Sequence, residues 1–341
     1  MRSLRVVQWG LGAMGRMMAR LVTEKEGLNL VGAVASRKEK VGHDVGKVIG
    51  LGRETGIQVK DDILDVIEES KPDVVLHARN SFLSEASPEI RQCIMHNVNV
   101  ISIAEELAFP WATSMEEARE LDGMARSHGV TVFGTGINPG FVLDLLIVTL
   151  TGVSARVDKI EAKRINDLSP YGPTVMRSQG VGSTPEEFYQ GIKDGSIVGH
   201  VGFIQSIHMI ARALNWSLDE VVENREPIIS NVLRKTEFAE VKPGMVAGCR
   251  HIASGKVKSE IRIVLEHPQQ ICPDLENVET GDYIKITGVP DINLQIVPEI
   301  PGGIGTAAIA VNMIPFVCEA KPGLLSALDF PIPRSLKCIG D

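Results

Sequence analysis

The sequence predicts an α/β protein with a doubly wound parallel sheet in its first part and an α+β domain with a mostly antiparallel sheet in its second. Three observations support this fold class. Strand-like apolar runs alternate with helical patterns through about residue 135. Beyond that point, the last three strand-like runs follow one another without a helix between them. A glycine-rich turn directly follows the first strand-like run. Strands that alternate with helices are typical of parallel sheets, and strands that follow one another without a helix are typical of antiparallel sheets.

Apolar runs and helical spacing define the expected elements of the first part. Ser114 and Glu117 form a capping box that opens the last of its helices. Strands are predicted at 4–8, 28–34, 74–78, 98–103 and 130–133, with a short one at 56–59, and helices at 13–24, 61–70, 87–97 and 114–127.

The second part is expected to contain strands at 158–166, 256–267, 283–287 and 292–297, with helices at 185–192 and 200–214. The final run, 305–328, has a helical pattern and is predicted to return to the first domain.

The glycine-rich turn has the spacing G-x-G-x-x-G and lies between a predicted strand and a predicted helix. In such a βαβ unit the glycines permit a sharp turn, close approach to a pyrophosphate and tight packing of the helix. The helix then directs its free N–H groups at the phosphates. The sequence therefore predicts a Rossmann-type dinucleotide-binding domain, with the turn residues as contacts: Gly10, Leu11, Gly12, Ala13, Met14 and Gly15.

The end of the second strand indicates which dinucleotide is bound. NAD enzymes usually place an acid there to bind the ribose hydroxyls. Here the strand is followed by Ser36, Arg37 and Lys38, with no acid before Glu39. Cationic side chains beside a hydroxyl suit a 2′-phosphate, so NADP is favoured over NAD, and use of both remains open. The end of a further strand adds three expected cofactor contacts, which are Ala78, Arg79 and Asn80.

Length and composition limit the possible functions. At 341 residues the chain exceeds one ordinary domain, and we expect a dinucleotide-binding domain at 1–140, a substrate and dimerisation domain at 141–304, and a returning helical segment at 305–341. The net charge of −8 argues against a nucleic-acid partner. No apolar run is expected to span a membrane, and the first strand begins too early for a signal peptide.

Cysteine and histidine usage points to the compartment and away from a metal site. The five cysteines are scattered without a C-x-x-C pair, and the eight histidines include no H-E-x-x-H motif. We therefore expect reduced thiols in the cytoplasm and no metal. The open face of the predicted antiparallel sheet suggests that the protein is a homodimer, since such faces are usually covered.

Two adjacent acids, Glu105 and Glu106, follow a predicted buried strand and precede an apolar stretch. Ligands of a doubly wound sheet bind beyond the carboxyl ends of its strands, so a carboxylate here is expected to face the nicotinamide. In a site poor in water its pKa would rise into a range useful for proton transfer. The alternative is that the acids stabilise a helix start. Glu105 is favoured as the base because it comes first after the strand.

Polar residues near strand ends in the rest of the chain are candidates for binding a small zwitterionic substrate. Asn138 lies in an Asn-Pro-Gly turn that is predicted to end the cofactor domain. Arg164 and Asn166 share one face of a strand because side chains alternate. His267 ends another predicted strand, and His200 lies in a glycine-containing stretch.

Several segments in this order resemble the 2,4-diaminopentanoate dehydrogenase and native amine dehydrogenase family of the dihydrodipicolinate reductase-like group. They are the segments 9–15, 104–107, 136–141, 163–166 and 301–306, so the resemblance spans nearly the whole chain. It implies NAD(P)-dependent oxidative deamination of 2,4-diaminopentanoate at C4, a step in ornithine degradation. It also implies a catalytic carboxylate at Glu105 or Glu106 and a substrate pocket lined by Asn138, Arg164, Asn166, His200 and His267.

Two other functions stay open at this point. One is a dihydrodipicolinate reductase-like or other small-acid oxidoreductase that works without ammonia, although the chain lacks the adjacent histidines described for that reductase family. The other is a dinucleotide sensor without catalytic activity.

Overall fold

The structure is a computed structural model that describes residues 2–340. The chain divides into two units. The first comprises Met1–Phe141 together with Pro301–Asp341, and the second comprises Val142–Ile300.

The first unit is built on a seven-stranded sheet with the order β15-β6-β5-β4-β1-β2-β3, in which every neighbouring pair is parallel. Its strands are β1 (Leu4–Trp9), β2 (Leu28–Val34), β3 (Val59–Lys60), β4 (Val74–His77), β5 (Asn99–Ser102), β6 (Thr131–Gly134) and β15 (Gly323–Leu325). Its helices are α1 (Ala13–Glu24), α2 (Val45–Ile49), α3 (Ile63–Ser70), α4 (Leu83–Met95), α5 (Met115–His128), α10 (Gly302–Asn312) and α11 (Ile314–Glu319). The predicted doubly wound sheet is confirmed, and its order reverses at β1, where such folds bind ligands.

Two predictions in the first unit need correction. Helix α4 begins at Leu83, not at residue 87, because its first N–H is satisfied by a distant side chain (Glu106) that no local pattern reveals. The run 305–328 is not entirely helical, since residues 323–325 form β15 and pair with β6.

The expectation that no apolar run is long enough for a membrane is also wrong. Residues 302–319 meet the length and composition of a membrane span. In the structure this run forms α10 and α11, two helices of the first unit that contact α1 and strands β5 and β6.

The second unit contains a six-stranded sheet with the order β14-β13-β7-β12-β11-β8. Only the pair of β7 and β12 is parallel, so the sheet is mixed and predominantly antiparallel. Its strands are β7 (Arg156–Asp167), β8 (Glu220–Ile229), β11 (Val246–Val257), β12 (Glu260–Gln270), β13 (Gly281–Val289) and β14 (Ile292–Ile296). The short strands β9 (Arg234–Lys235) and β10 (Glu240–Val241) pair separately, and the helices are α6 (Leu145–Thr151), α7 (Pro173–Ser178), α8 (Pro185–Asp194) and α9 (Phe203–Ala213).

One predicted strand of this unit, at 256–267, is in fact the middle of a hairpin. Strands β11 and β12 are joined by Lys258 and Ser259, both with positive φ. Two-residue hairpin turns usually carry Asn or Gly at such positions, and this turn carries neither. Strand β8 and most of β11 were also not predicted.

The two faces of the mixed sheet differ. On one face of β7, residues 160, 162, 164 and 166 are buried, while the alternate residues remain half-buried. The second face carries ion pairs between neighbouring strands, including Lys163 with Glu266 and Arg250 with Glu226 and Glu266. The first face therefore holds the buried polar side chains that concern the site.

Candidate functional site

A cavity of about 220 Å³ lies at the carboxyl ends of β1, β2 and β4. This is where the sheet order reverses, the usual dinucleotide position. The residues that line it are Gly10, Leu11, Gly12, Ala35, Ser36, Arg37, Lys40, Ala78 and Arg79.

The glycine turn beside this cavity lets other backbone atoms, and a ligand, come close to its main chain. A Cβ on Gly10 would lie 2.3 Å from the carbonyl oxygen of Ala78, and one on Gly15 would lie 1.8 Å from that of Gly10. Both positions therefore require glycine for packing within the unit. A Cβ on Gly12 would meet nothing within 4 Å, although Gly12 caps α1 and lines the cavity. That open space at a helix N-terminus fits a pyrophosphate.

Three cationic side chains line the cavity: Arg37, Lys40 and Arg79. The ammonium of Lys40 donates to the carbonyl of Leu11 at 2.7 Å, and burial together with nearby Arg16 and Arg37 lowers its pKa. Sequence reasoning missed Lys40 and chose Lys38, which does not line the cavity. The backbone N–H of Lys40 bonds to the carbonyl of Arg37, and this tight turn brings Lys40 back toward the glycine turn.

A hydrogen-bonded cluster around Glu89 supports the end of β4. Its carboxylate lies 2.7 Å from Nε2 of His77 and 2.6 Å from Nε of Arg79, and it accepts from the amide of Asn80 at 3.2 Å. The Arg79 guanidinium also lies 5.5 Å from the centre of the Trp9 ring. Asn80, which was predicted to contact the cofactor, donates its amide N–H to Glu89, and the contact with the cofactor stays a prediction. The predicted contacts Ala13 and Met14 form the first turn of α1.

Glu105 and Glu106 begin a 3₁₀ turn directly after β5, and their carboxylates lie in different environments. Oε2 of Glu106 accepts from the backbone N–H of Leu83 at 2.7 Å, at the start of α4, where Phe82 provides no side-chain cap. Glu105 accepts from the hydroxyl of Ser81, and burial raises the pKa of its carboxyl, with a further contribution from the charge of Glu106. One acid is therefore bonded to a helix end, while the other is buried with a raised pKa, which favours its protonated form.

Asn138 lies in the first unit, in the turn after β6. Its peptide bond to Pro139 is cis, and Gly140 has φ +121°. A Cβ on Gly140 would lie 2.4 Å from the backbone nitrogen of Gly136, and the hydroxyl of Thr306 accepts from the N–H of Ile137. The turn that carries Asn138 is therefore tightly fixed within this unit.

In the second unit, the structure brings together two predicted histidines and one that was not predicted. The rings of His200 and His267 are 4.9 Å apart, edge to face. Nδ1 of His251 accepts from the backbone N–H of His200 at 3.0 Å. Burial lowers the pKa of all three imidazoles, most strongly for His200 and His267. This histidine group (His200, His251 and His267) is therefore neutral at physiological pH.

The remaining predicted substrate residues lie beside the histidine group. Oδ1 of Asn166 lies 3.1 Å from Nε2 of His267, and the hydroxyl of Tyr171 hydrogen-bonds with the Asn166 side chain. Arg164 is buried and paired with Asp282, and it also donates to the carbonyl of Ile300. The charge of Arg164 is thus already balanced within the protein, which no sequence pattern indicated.

The sequence did not predict His251 of the histidine group or Tyr171, which bonds to Asn166 beside it. His251 lies on β11, most of which was not predicted, and its ring faces the same side of the sheet as His267 because the two residues are direct cross-strand partners. A correct register for the β11–β12 hairpin would have identified it.

Comparison with known proteins agrees with this architecture. A model described as "2,4-diaminopentanoate dehydrogenase C-terminal domain" matches residues 141–339, and one described as "Dihydrodipicolinate reductase, N-terminus" matches residues 4–102. A 2,4-diaminopentanoate dehydrogenase of Acetoanaerobium sticklandii is 43% identical over 98% of this chain and 96% of its own length. An amine dehydrogenase of Streptomyces virginiae is 27% identical over 99% of both chains.

The structure of an amine dehydrogenase from Mycobacterium smegmatis superimposes with a TM-score of 0.86 at 29% identity, covering 97% of each chain. The predicted family is confirmed. Its dinucleotide-binding unit, its mixed-sheet unit and a close relative along nearly its whole length place this chain in the 2,4-diaminopentanoate dehydrogenase family of NAD(P)-dependent amine dehydrogenases.

Proposed function

We propose that this enzyme oxidatively deaminates 2,4-diaminopentanoate at C4 with NAD(P)⁺, giving 2-amino-4-oxopentanoate and ammonia, as in ornithine degradation. The 43% identical relative supports this substrate. The observation that carries the chemistry is Glu105, a carboxyl with a raised pKa at the carboxyl end of β5. Strands β5, β4 and β1 are parallel, so this end lies at the same sheet edge as the dinucleotide cavity.

Glu105 has two proton-transfer roles in this scheme. Its carboxylate takes a proton from the C4 ammonium, because the nitrogen lone pair must be free to form the C=N bond as hydride leaves C4. A dinucleotide held at the glycine turn (Gly10, Gly12) would supply the acceptor of that hydride. After that first proton has passed to solvent, the carboxylate offsets the positive charge of the substrate iminium and accepts a proton from the water that attacks it. It then returns this proton to the nitrogen of the carbinolamine, and ammonia leaves as the ketone forms.

The second unit is proposed to bind the amino-acid end of the substrate. His200 and His267 are neutral, and each can donate or accept a hydrogen bond. Arg164 and Asn166 contribute further N–H donors, with Arg164 fixed in place by Asp282. Asn138, on the fixed turn of the first unit, is proposed as a further substrate contact. Such anchors would let the enzyme select C4 over C2 by orientation.

The first experiment measures NADPH oxidation with 2-amino-4-oxopentanoate at varied ammonium concentration. We expect a rate that rises with ammonium and vanishes without it, because the substrate of reduction is the imine. A rate that is independent of ammonium would instead identify a small-acid reductase. Tight NADPH binding without turnover under any of these conditions would identify a sensor.

The second prediction separates the two acids. We expect Glu105→Gln to lower kcat by about 10²–10⁴, the usual cost of losing a general base, with NADPH affinity unchanged. Glu106→Gln is the matched control, because its amide oxygen can still accept from Leu83, and activity should stay within about fivefold of wild type. Steady-state kinetics would refute the assignment if Glu106→Gln abolished turnover while Glu105→Gln kept it.

The raised pKa of Glu105 also predicts a pH-dependent stability difference between the same variants. A carboxyl whose pKa is higher in the folded state binds more protons there, so its contribution to stability falls as pH rises between the unfolded and folded pKa values. Glu105→Gln should therefore gain Tm relative to wild type as pH increases from about 4 to about 8. A constant Tm difference across this range would contradict a raised pKa.

We further propose that NADP is preferred over NAD. The cavity carries Arg37 and Lys40 beside Ser36, a group that suits a 2′-phosphate better than a diol.

Arg37→Asp should raise the Kd of NADPH by about 100-fold and that of NADH by far less, since it removes one charge-assisted bond and adds repulsion. Lys38→Met, next to Arg37 but outside the cavity lining, is the control and should change neither. Calorimetric titration with NADPH and with NADH measures both Kd values. An equal rise of the two Kd values would exclude a role for Arg37 in binding the 2′-phosphate.

The protein is also proposed to be a cytoplasmic homodimer. The open face of the mixed sheet supports the dimer, because it combines cross-strand ion pairs with half-buried apolar side chains such as Ile165, Ile252 and Val264. The five cysteines, which form no disulfide, suit a reducing compartment. Sedimentation equilibrium should give twice the chain mass of 37.0 kDa, and a monomer at micromolar concentration would exclude the dimer.

A further inference from the structure

The short segment Val198–His200, which carries His200, has its backbone held from several sides. The N–H groups of Val198 and Gly199 both donate to the carbonyl of Ser178, at 3.0 and 3.2 Å. Ser178 ends α7, so this helix fixes one side of the 198–200 segment. The other backbone groups of the segment, two carbonyls and one N–H, are hydrogen-bonded to side chains.

Three side chains from different elements bond three backbone groups of this segment, which belong to two successive peptide units. Nε of Arg225, on β8, donates to the carbonyl of Val198 at 2.7 Å. Nε2 of Gln179, after α7, donates to the carbonyl of Gly199 at 2.8 Å. Nδ1 of His251, on β11, accepts from the N–H of His200 at 3.0 Å. These three residues are buried or half-buried, so each bond is shielded from water.

Glycine at position 199 is required by the same arrangement. Its φ is +71°, and a Cβ there would lie 3.0 Å from Nδ1 of His251 and 3.1 Å from Nε of Arg225. The two side chains thus close directly on the backbone of the segment. Their own positions are fixed in turn by Glu223, which lies 3.3 Å from both the Arg225 guanidinium and Nε2 of His251.

One ring nitrogen in this fixed segment is available to bind a ligand. Nε2 of His200 is buried and has no hydrogen-bond partner among residues 2–340. Its ring is packed edge to face against Phe203 and His267, so it has little freedom to turn toward another partner. Buried polar atoms are normally paired, and exceptions are typical of functional groups.

We propose that Gln179, Arg225 and His251 are positioning residues, which orient His200 toward the amino-acid end of the substrate by fixing the backbone of the 198–200 segment. This inference rests on the proposed function for the identity of the substrate. The three residues need not touch the substrate themselves, and they act through the direction of the His200 ring.

The arrangement also specifies the tautomer of His251. Because Nδ1 accepts a hydrogen bond from a backbone N–H, the proton of the neutral ring must be on Nε2, facing Glu223. A ring protonated on Nδ1 could not hold His200 in this way. The tautomer is therefore a measurable consequence of this hydrogen bond.

The kinetic test uses His251→Leu and the conservative His251→Asn, with 2,4-diaminopentanoate and NADP⁺. Leu removes the acceptor, whereas the amide oxygen of Asn lies near the position of Nδ1 and restores it. We expect His251→Leu to raise KM about 10- to 100-fold with a smaller change in kcat, and His251→Asn to recover KM to within about fivefold of wild type. Gln179→Met, which removes the donor to Gly199 and also the acceptor of the Gln269 amide, should raise KM in the same way.

A structural role alone would give a different result. It would lower the active fraction and the Tm, leaving KM of the folded fraction unchanged. Arg5→Met is the matched control, because Arg5 also donates to a backbone carbonyl (that of Ser70) but belongs to the first unit away from the dinucleotide cavity. An unchanged KM in His251→Leu, or an equal rise in Arg5→Met, would overturn the proposal.

A second measurement does not need the substrate. Nitrogen-15 spectra of the histidine rings in the free protein should show His251 protonated on Nε2, and Gln179→Met should shift the His200 signals while leaving the His251 tautomer intact. His251 protonated on Nδ1, or unshifted His200 signals, would refute the positioning role. If wild type does not turn over 2,4-diaminopentanoate, the proposed function fails, and these spectra still decide the positioning role.

Discussion

The hydrogen bond from the backbone of Leu83 to the carboxylate of Glu106 determines how the pair of acids after β5 can be used. It satisfies an N–H at the start of α4 and places the carboxyl of Glu106 at the positive end of a helix. It also fixes the 3₁₀ turn, so Glu105 remains buried beside Ser81. The two acids therefore have different environments: Glu106 stabilises a helix start, while the proposed role in proton transfer rests on the buried carboxyl of Glu105.

The second unit uses a different electrostatic principle. Its buried cations are balanced within the protein, Arg164 by Asp282 and Arg225 by Glu223. The imidazoles beside them are neutral because burial and neighbouring positive charge both disfavour protonation. The region therefore presents hydrogen-bonding groups with little net charge. Such a surface suits a dipolar amino-acid end, whose two charges compensate each other, better than a simple anion.

The first unit could be predicted almost completely from sequence because its signals are local. Buried parallel strands are apolar runs, and the glycine fingerprint specifies its own strand and helix. What was missed there depends on tertiary contacts: the early start of α4 capped by Glu106, the pairing of residues 323–325 with β6, and the return of Lys40 to the glycine turn.

The second unit was harder because its strands are half-buried and its decisive turn has an unusual sequence. The Lys258–Ser259 turn carries neither Asn nor Gly, so the predicted strand 256–267 ran through the turn, most of β11 was not predicted, and His251 went unnoticed. His200 and His267 were found as separate candidates, yet only the folded sheet brings their rings together. The ion pair of Arg164 with Asp282 joins residues 118 positions apart, and no local pattern encodes it.

Two buried groups lower the stability of the folded state, and this loss indicates what the protein does. A buried carboxyl with a raised pKa destabilises the folded state at neutral pH, and a buried imidazole nitrogen without a partner costs about 1–3 kcal/mol. A protein that only sensed dinucleotides would gain nothing from either feature, since the glycine turn and the cations of the cavity suffice for binding. Apolar side chains at both positions would make such a protein more stable. The two unfavourable groups lie in different units, one at the sheet edge that carries the dinucleotide cavity and one in the histidine group. A catalyst that must take a proton and hold a polar substrate accounts for both.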